Sequence, residues 1–239
     1  MTPYLSLIIP AYNEALRIGD SLKRAAEYLA DQRYNFEIIV VDDGSVDKTV
    51  QVINKLNEEV KFITLIRQPQ NMGKGAAVRR GMLEAKGNYR IFTDADFSTP
   101  INEVGNALKT FDKGFDVVIG SRVLDRTMIK RPQPKHREAM GRVFSRAVQT
   151  TVFKGIDDTQ CGFKGFTAAA AESIFSRAKI NGFSFDVEIL FLAKKLGLSI
   201  EQIPVEWHND ERSTVSSLSG LRAFLDILTI KRLHNNERF

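Results

Sequence analysis

Apolar runs alternate with segments of helical periodicity through the first half of the chain. The first run, at about residues 5–9, is followed by Ile18, Leu22 and Leu29, whose spacing is typical of a helix with one buried face. The pattern occurs five times before Arg122, and the apolar runs are LSLII, FEIIVV, KFITLI, YRIFT and FDVVIG. Nearly continuous apolar strands are typical of a parallel sheet covered on both faces. The sequence therefore predicts an α/β fold with a mostly parallel central sheet flanked by helices.

The later elements are less regular. The helix within GKGAAVRRGMLEAKG is expected to end at a C-cap glycine, Gly87, and a helix is predicted at residues 101–111. Residues 124–138, LDRTMIKRPQPKHRE, are basic and contain two prolines, which predicts a mobile surface loop. A helix at 138–153, a strand in CGFKGFT, helices in AAAAESIFSRA and SFDVEILFLAKKLG, and a strand in SIEQIPVEW follow. We expect one domain, residues 1–212, and a separate C-terminal helix within 213–239.

The C-terminal helix is amphipathic. A helical projection brings five leucines near one face, with basic residues elsewhere: Leu218, Leu221, Leu225, Leu228 and Leu233, and Arg222, Lys231 and Arg232. Such a stripe most often covers the domain or pairs with a second subunit. A helix of this composition can also lie in the headgroup region of a membrane. All three outcomes, including a homo-oligomer, stay open from the sequence.

Composition narrows the class of protein. The chain has 239 residues, 43% of them hydrophobic and 26% charged, which is ordinary for a folded domain. One cysteine, Cys161, and three histidines exclude a disulfide framework and a Cys-ligated zinc cluster. The sequence has no run of about eighteen apolar residues and no signal peptide, so we expect a cytoplasmic location. Peripheral association with the cytoplasmic face of a membrane is compatible with that expectation. The net charge of +5 permits anionic partners.

Polar residues follow the predicted strands at their carboxyl ends. In open α/β sheets, ligands bind outside these ends. Each motif alone is also typical of a turn or a helix cap, but their arrival at one edge predicts a binding site. The residues concerned are Tyr12 and Glu14 after the first strand, Asp42 and Asp43 after the second, Asp94 and Asp96 after the fourth, and Arg122 after the fifth.

Asp94 and Asp96 carry like charges one residue apart, which is costly unless a cation or hydrogen bonds compensate for it. The alternative is that one of them caps the helix that follows. With no His or Cys nearby, two carboxylates predict a site for Mg²⁺ or Mn²⁺. Because such an ion usually completes its shell with phosphate oxygens and water, the expected ligand is a nucleoside diphosphate. Asp42 could then bind the base or ribose, and Tyr12 could cover the base.

A series of motifs resembles one family. LSLIIPAYNE, VVDDGSVDKT, NMGKGAAVRRGM, FTDADFST and VIGSR are similar, in order and spacing, to the motifs of family 2 glycosyltransferases with the GT-A fold. DDTQCGFKGF and GFSFDVEILFLAKKLG resemble the branch that makes polyprenyl-phosphate sugars, and DTQCGFK is most similar to dolichyl-phosphate β-glucosyltransferases. A dehydrogenase is disfavoured, because no G-x-G-x-x-G follows the first strand.

The resemblance implies roles for individual residues. Asp94 and Asp96 form the metal-binding D-x-D, with Asp96 the more direct ligand, and Ser98 stands where some relatives have glutamine. Lys74 contacts the nucleotide or is a solvated lysine at a helix start. Residues expected to bind the nucleotide are Pro10, Ala11, Tyr12, Glu14, Asp42, Asp43, Lys74 and Asp94, and those expected to act in catalysis are Asp96, Arg122 and Asp158.

The implied reaction is inverting transfer of a sugar to a polyprenyl or dolichyl phosphate. UDP-glucose is the favoured donor and GDP-mannose the next. Because a lipid phosphate is largely a dianion at neutral pH, the protein needs positive charge more than a strong base. Arg122 and Arg137 are expected to bracket the phosphates, and Asp158 to orient the sugar or act as a weak base. Further positive charge comes from Lys130, Arg131, Lys135 and His136.

Two alternatives remain at this point. The acceptor could be a hydroxyl of a glycan or a small molecule, which would require a general base. The chain could instead be a binding module that uses its basic surface on membranes or nucleic acid. Nucleic acid is not an expected partner, because acids at the sheet edge repel polyphosphate unless a metal intervenes.

Overall fold

The computed structural model describes residues 2–60, 62–209 and 217–235, without the side chains of 135–137 and 217–223. Strands and helices alternate through the first half, as the sequence predicts. They are β1 (Leu5–Ala11), α1 (Ile18–Ala30), β2 (Phe36–Asp42), α2 (Thr49–Glu59), β3 (Ile63–Arg67), α3 (Lys74–Glu84), β4 (Tyr89–Thr93), α4 (Glu103–Phe111) and β5 (Val117–Ser121).

The second half adds shorter and less regular elements. A 3₁₀ turn at Arg126–Met128 leads into a short strand, and the remaining strands and helices follow. They are β6 (Ile129–Arg131), α5 (Lys135–Thr151), β7 (Phe163–Thr167), α6 (Ala168–Phe175), α7 (Phe185–Lys195), β8 (Ile200–Pro204), β9 (Trp207–His208) and α8 (Ser217–Leu233).

The main sheet has the strand order β3-β2-β1-β4-β7-β5-β8. All pairs are parallel except those of β7, which lies antiparallel between β4 and β5. The strands β6 and β9 form a separate parallel pair. The predicted α/β class with a mostly parallel sheet is therefore confirmed. Because β1, β2, β4 and β5 point the same way, their carboxyl ends lie along one edge.

Helices cover the sheet on both faces. Ile8 of β1 belongs to the apolar cluster that includes buried residues of α3, α6 and α7. Its neighbours Leu7 and Ile9 belong to the opposite cluster, with buried residues of α1, α2 and α4. Since successive strand residues point to opposite faces, this alternation explains why the strands are apolar at nearly every position.

Two local predictions are wrong. Residues 124–138 are not a continuous loop: Asp125 accepts a hydrogen bond from the backbone N–H of Thr127, at 3.0 Å, which caps the 3₁₀ turn before β6. Gly87 is not a helix C-cap, because α3 ends at Glu84. A Cβ at Gly87 would lie 2.6 Å from the backbone nitrogen of Ser6, so glycine is needed there for close approach to β1.

The tail forms a helix, as predicted, but packs through an unexpected face. Ile227 and Ile230 are buried against the domain, and Phe224 stacks edge-on against Phe144 of α5, with ring centroids 5.2 Å apart. The leucines of the stripe whose side chains are described face outward instead, with Leu225 and Leu228 exposed by 60% and 67%. The predicted domain boundary at 212/213 lies outside the described residues. Among the residues described, no helix is long and apolar enough to cross a membrane.

Candidate active site

A cavity of about 430 Å³ lies at the carboxyl edge of β1, β2 and β4. This is within the usual size range of small-molecule sites. It brings together most of the residues that the sequence suggested for the nucleotide and the metal: Pro10, Ala11, Tyr12, Glu14, Asp43, Lys74, Asp94 and Asp96. Arg17, Asn71, Gly73, Ala77, Ala95 and Phe183 also line it.

The two carboxylates of the D-x-D motif have different environments. The Nζ of Lys74 lies 2.6 Å from Oδ1 of Asp94, whereas Oδ1 of Asp96 accepts a hydrogen bond from the backbone N–H of Ser98 at 2.8 Å. Burial and the neighbouring charge of Asp94 raise the pKa of Asp96. The cavity therefore holds negative charge that the protein compensates only in part.

Lys74 stands at the first turn of α3. Burial alone would lower the pKa of its ammonium, but the carboxylates of Asp94, Asp186 and Asp96 together raise it above the ordinary value. The ammonium also lies 5.8 Å from the ring centroid of Phe185. Lys74 is therefore a fixed cation of the cavity rather than a solvated surface lysine.

A divalent cation would fit this set of ligands. Mg²⁺ is commonly held by one or two carboxylates, with phosphate oxygens and water completing its shell, and Asp94 and Asp96 supply the carboxylates. Gly162 lets Asp94 approach the backbone closely, since a Cβ there would lie 2.0 Å from Oδ2. No cluster of three or more His, Cys, Asp or Glu residues suited to a metal occurs in the described parts of the chain. A complete metal site would therefore need oxygen atoms from a ligand.

The DDGS acids serve different purposes. Asp43 fixes the neighbouring loop: Oδ1 accepts from Gln68 Nε2 at 2.7 Å and from Met72 N at 2.8 Å, and Oδ2 accepts from Gly73 N at 2.9 Å. Burial still raises the pKa of Asp43. Asp42 does not line this cavity. It is fully buried at the end of β2, and its Oδ2 has no hydrogen-bond donor among the described residues, with Arg67 Nε 3.6 Å away.

Arg17 is a cavity residue that the sequence did not single out. Its Nη2 donates to Oε1 of Glu14 at 2.7 Å, and its Nη1 lies 3.7 Å from Oδ2 of Asp96. Glu14, expected to contact the nucleotide, is thus engaged in an ion pair. Opposite charges three residues apart, in the turn that precedes α1, were the available signal.

Arg122 and Asp158 form the core of a second cavity, of about 500 Å³. The Nε and Nη2 of Arg122 donate to Oδ2 and Oδ1 of Asp158, both at 2.7 Å, and the backbone N–H of Arg122 donates to Oδ2 at 2.9 Å. The guanidinium also lies 5.4 Å from the ring centroid of Trp207. This bidentate geometry fixes the orientation of the guanidinium.

Asp158 is poorly suited to act as a base. Burial alone would raise its pKa, but the charge and hydrogen bonds of Arg122 outweigh burial and lower it. Burial also raises the pKa of the Cys161 thiol to about 11, so this cysteine is not a nucleophile at neutral pH. The arrangement favours a positioning function for Asp158, through Arg122.

The second cavity mixes apolar and basic side chains. Arg126 and Arg142 both pair with Glu138 on α5, the latter at 2.9 Å. The side chain of Arg137, expected to bind the acceptor phosphate, lies outside the described residues. The other contributors include Val123, Ile129, Pro132, Phe144, Arg146 and Trp207.

A third cavity, of about 720 Å³, adjoins the D-x-D loop. Asp96 lines this cavity as well as the one that holds Lys74. Arg24, Arg131 and His208 also line it. Asp96 thus lies between two cavities, where a group leaving one side and a group entering from the other could both approach it.

Comparison with known families assigns the chain. The model of the Glycosyl transferase family 2 domain matches residues 6–175, which is more than half of the chain. The chain belongs to glycosyl transferase family 2. This match confirms the resemblance that the sequence suggested from the PAYNE, DDGS and DAD motifs, which stand at the ends of the glycosyltransferase's strands.

Three curated relatives of this glycosyltransferase carry the same description. It is 37% identical to a dolichyl-phosphate beta-glucosyltransferase of Trichomonas vaginalis over 95% of this chain and 72% of the relative. It is 35% identical to the one of Saccharomyces cerevisiae, over 95% and 74%, and 34% identical to the one of Homo sapiens, over 96% and 75%. The predicted similarity to this branch is thereby confirmed.

Solved structures confirm the predicted GT-A fold. Glucosyl-3-phosphoglycerate synthase of Mycobacterium tuberculosis, solved with Mn²⁺, UDP and glucosyl-3-phosphoglycerate, superposes with a TM-score of 0.71. The two are 16% identical, and the match covers 99% of this glycosyltransferase and 81% of that chain. The same synthase has also been solved with Mg²⁺ and UDP.

Proposed function

We propose that the protein is an inverting glucosyltransferase that moves glucose from UDP-glucose to a polyprenyl or dolichyl phosphate. The observation that carries this proposal is a pair of cavities, each lined by residues that directly follow the carboxyl ends of parallel strands. One holds the D-x-D carboxylates and Lys74, and the other holds a fixed guanidinium among apolar side chains. The names of the three relatives described above, each a dolichyl-phosphate beta-glucosyltransferase, support the choice of sugar and acceptor.

The first cavity is suited to the nucleotide. Tyr12 is partly exposed there and can stack on a base, while Lys74 supplies positive charge for the diphosphate. Asp42 does not line this cavity, and its Oδ2, which has Arg67 Nε 3.6 Å away but no hydrogen-bond donor among the described residues, could accept from a uracil N–H only once the neighbouring side chains move. A divalent cation bound by Asp96 and Asp94 would neutralise charge that develops on the departing diphosphate.

The second cavity is suited to a phosphate acceptor. A phosphate monoester is already largely a dianion at neutral pH, so its oxygen can attack without a base. Asp158 uses two donors of the Arg122 guanidinium, which has five in total, so the rest can bind phosphate. The lowered pKa of Asp158 keeps this pair charged. A hydroxyl acceptor would need a general base, and Asp158 does not suit that task.

The bond changes are those of a single displacement. A phosphate oxygen of the acceptor forms a bond to the anomeric carbon of glucose as the bond from that carbon to the UDP oxygen breaks. The electron pair of the broken bond leaves on UDP, next to Lys74. Attack from the face opposite the leaving group inverts the anomeric centre, through an oxocarbenium-like transition state. No oxidant or further reactant is required.

The outward leucine face supplies a contact with the membrane in which the lipid acceptor resides. Leu225 and Leu228 are exposed beside the basic Lys231 and Arg232, as in helices that lie in the headgroup region. On α5, the exposed side chains of Met140 and Val143 flank Phe144, which contacts α8 and lines the second cavity. This arrangement would bring the acceptor cavity to the lipid surface.

A donor panel tests the choice of nucleotide and sugar. The full-length protein is incubated with Mg²⁺ or Mn²⁺, a short polyprenyl phosphate and either UDP-glucose, UDP-galactose or GDP-mannose. We expect lipid-linked product from UDP-glucose, with the β configuration by NMR. Product from GDP-mannose in preference to UDP-glucose would contradict the proposed donor, and an α-linked product would contradict inversion.

A further inference from the structure

A short segment, residues 178–183, connects the nucleotide cavity with the C-terminal end of α8. We call it the bridging segment. At one end, Phe183 lines the cavity. In its middle, the carbonyl oxygen of Asn181 accepts hydrogen bonds from the backbone N–H groups of Gly75 and Ala76, at 2.7 and 3.3 Å. These donors belong to the first turn of α3, which also carries Lys74.

The backbone of the bridging segment packs so closely against the start of α3 that no side chain fits between them. A Cβ at Gly73 would lie 2.4 Å from the carbonyl oxygen of Asn181, and one at Gly75 would lie 2.5 Å from that of Ile180. The glycines on either side of Lys74 are thus needed for backbone to meet backbone. A shift of the bridging segment would therefore displace the turn that holds Lys74 against Asp94.

Glu188 of α7 binds the backbone of the bridging segment through its carboxylate. Its fully buried carboxylate accepts from the backbone N–H of Lys179 through Oε1 and from that of Ile180 through Oε2, both at 2.9 Å. Nε2 of His234, also fully buried, lies 2.8 Å from the same Oε1. Since a carboxylate offers only acceptors, the imidazole donates here. Buried polar networks of this kind are costly to leave half satisfied.

Two lysines fasten the chain around His234. Nζ of Lys179, in the bridging segment, donates to the carbonyl oxygen of Leu233 at 2.9 Å. Nζ of Lys195, at the end of α7, donates to the carbonyl oxygen of His234 at 2.8 Å. Cations are favourable at the C-terminal end of a helix, where carbonyl groups lack partners within the helix. The end of α8 is thus tied both to α7 and to the bridging segment.

We propose that Glu188 and His234 are positioning residues for the nucleotide site. Neither lines a described cavity, and both act through the bridging segment on the turn that carries Lys74. The inference rests on the proposed function in taking a nucleotide as the ligand of the first cavity. Breaking the contact should weaken binding of the nucleotide more than binding of the acceptor, because no residue of the bridging segment lines the Arg122 cavity.

The test compares four full-length proteins: the wild type, His234→Phe, His234→Gln and Ile230→Ala. Phenylalanine keeps a ring but loses the N–H, and glutamine keeps an N–H donor. Ile230→Ala removes a buried apolar side chain of α8, which cannot form a hydrogen bond to Glu188. UDP is titrated by calorimetry with Mn²⁺ present, and the melting temperature and the KM values for UDP-glucose and polyprenyl phosphate are measured.

We expect His234→Phe to raise the Kd for UDP and the KM for UDP-glucose about five- to tenfold, as for a lost buried hydrogen bond. The KM for polyprenyl phosphate and kcat should stay within about twofold, and His234→Gln should recover most of the nucleotide affinity. Ile230→Ala should lower the melting temperature without this change in Kd. Glu188→Gln, which sets an amide donor against N–H groups, serves as the second variant if His234→Phe does not fold.

Two results would overturn the inference. One is a wild-type Kd for UDP in whichever of the His234→Phe and Glu188→Gln variants folds. The other is an equal loss of affinity in Ile230→Ala, which would show that the effect follows general stability. A wild-type protein that binds no UDP would contradict the proposed function instead. The titration is then repeated with GDP, which keeps the positioning role testable by itself.

Discussion

Lys74 and Asp94 form an ion pair, with 2.6 Å between Nζ and Oδ1, across the gap between the start of α3 and the loop after β4. The pair places the cation of the proposed nucleotide site next to the first acid of the D-x-D. Neighbouring cations reduce the repulsion between the two carboxylates that share this cavity. Asp94 is partly neutralised by Lys74, and Asp96 faces Arg17 at 3.7 Å.

Replacing Lys74 with methionine should weaken nucleotide binding. Methionine keeps much of the apolar stem but removes the charge that would meet the diphosphate. We expect the Kd for UDP to rise about tenfold, or ~1.4 kcal/mol. The measurement is a UDP titration with Mg²⁺, with Lys55→Met on the exposed side of α2 as the matched control. Equal affinity in wild type and Lys74→Met would remove Lys74 from the site.

Asp96→Asn should separate activity from stability. Because burial and Asp94 raise the pKa of Asp96, its charge does not stabilise the metal-free fold. We expect turnover to fall by about 10²–10³, the range for loss of an important electrostatic group. The free energy of unfolding without metal should change by less than about 1 kcal/mol, as for mutations outside the core. A parallel loss of melting temperature and activity would show that Asp96 is structural.

Asp158→Asn should reduce stability in a pH-dependent way. The folded-state pKa of Asp158 is lowered, so its pairing with Arg122 stabilises the fold above the ordinary carboxyl pKa of about 4. That contribution is lost as the pH falls through the lower, folded-state value. We expect a loss of about 3 kcal/mol near pH 7 that shrinks below about pH 4, measured by urea unfolding.

The adjacent and exposed Asp157 provides the control for that experiment, as Asp157→Asn. We expect little change in unfolding free energy with this substitution at any pH. If Asp158→Asn cost the same at pH 3 as at pH 7, the charge of the pair would not be the source of its stability.

The leucine face of α8 should bind anionic membranes. Leu225→Gln together with Leu228→Gln removes exposed apolar surface and should leave packing through Ile227 and Ile230 intact. We expect co-sedimentation with phosphatidylserine vesicles to fall about tenfold, whereas the Kd for UDP stays unchanged. Leu83→Gln, on α3, is the control. Wild-type protein that sediments alone but forms dimers in ultracentrifugation would assign this face to a second copy.

The predictable part of the fold is the part set by local pattern. Apolar runs of strand length identified β1 to β5, and parallel strands necessarily deliver Tyr12, Asp43 and Asp96 to one edge. The insertion of β7 between β4 and β5 in the opposite direction was not predictable from periodicity, because strand pairing is a long-range choice. A strand that is buried on both faces has the same apolar pattern whether it runs parallel or antiparallel to its neighbours.

The sequence also did not identify residues whose partners are distant along the chain. Arg17 precedes α1, Trp207 lies in β9 and His234 follows α8, and the partners of all three are fixed only once the sheet is assembled. The C-terminal helix shows the limit most clearly. Its leucine stripe is the more regular pattern, yet the domain buries the isoleucines and leaves Leu225 and Leu228 outside.

The central claim is that a nucleotide-activated glucose in the first cavity is passed to a phosphate beside Arg122. The most direct measurement uses UDP-[¹⁴C]glucose with Mg²⁺ and matched acceptors, a polyprenyl phosphate and the corresponding polyprenol. The account predicts radioactivity in the lipid phase with the phosphate and none with the alcohol, with Arg122→Ala losing turnover more than UDP affinity. Equal labelling of the polyprenol, or full turnover in Arg122→Ala, would contradict it.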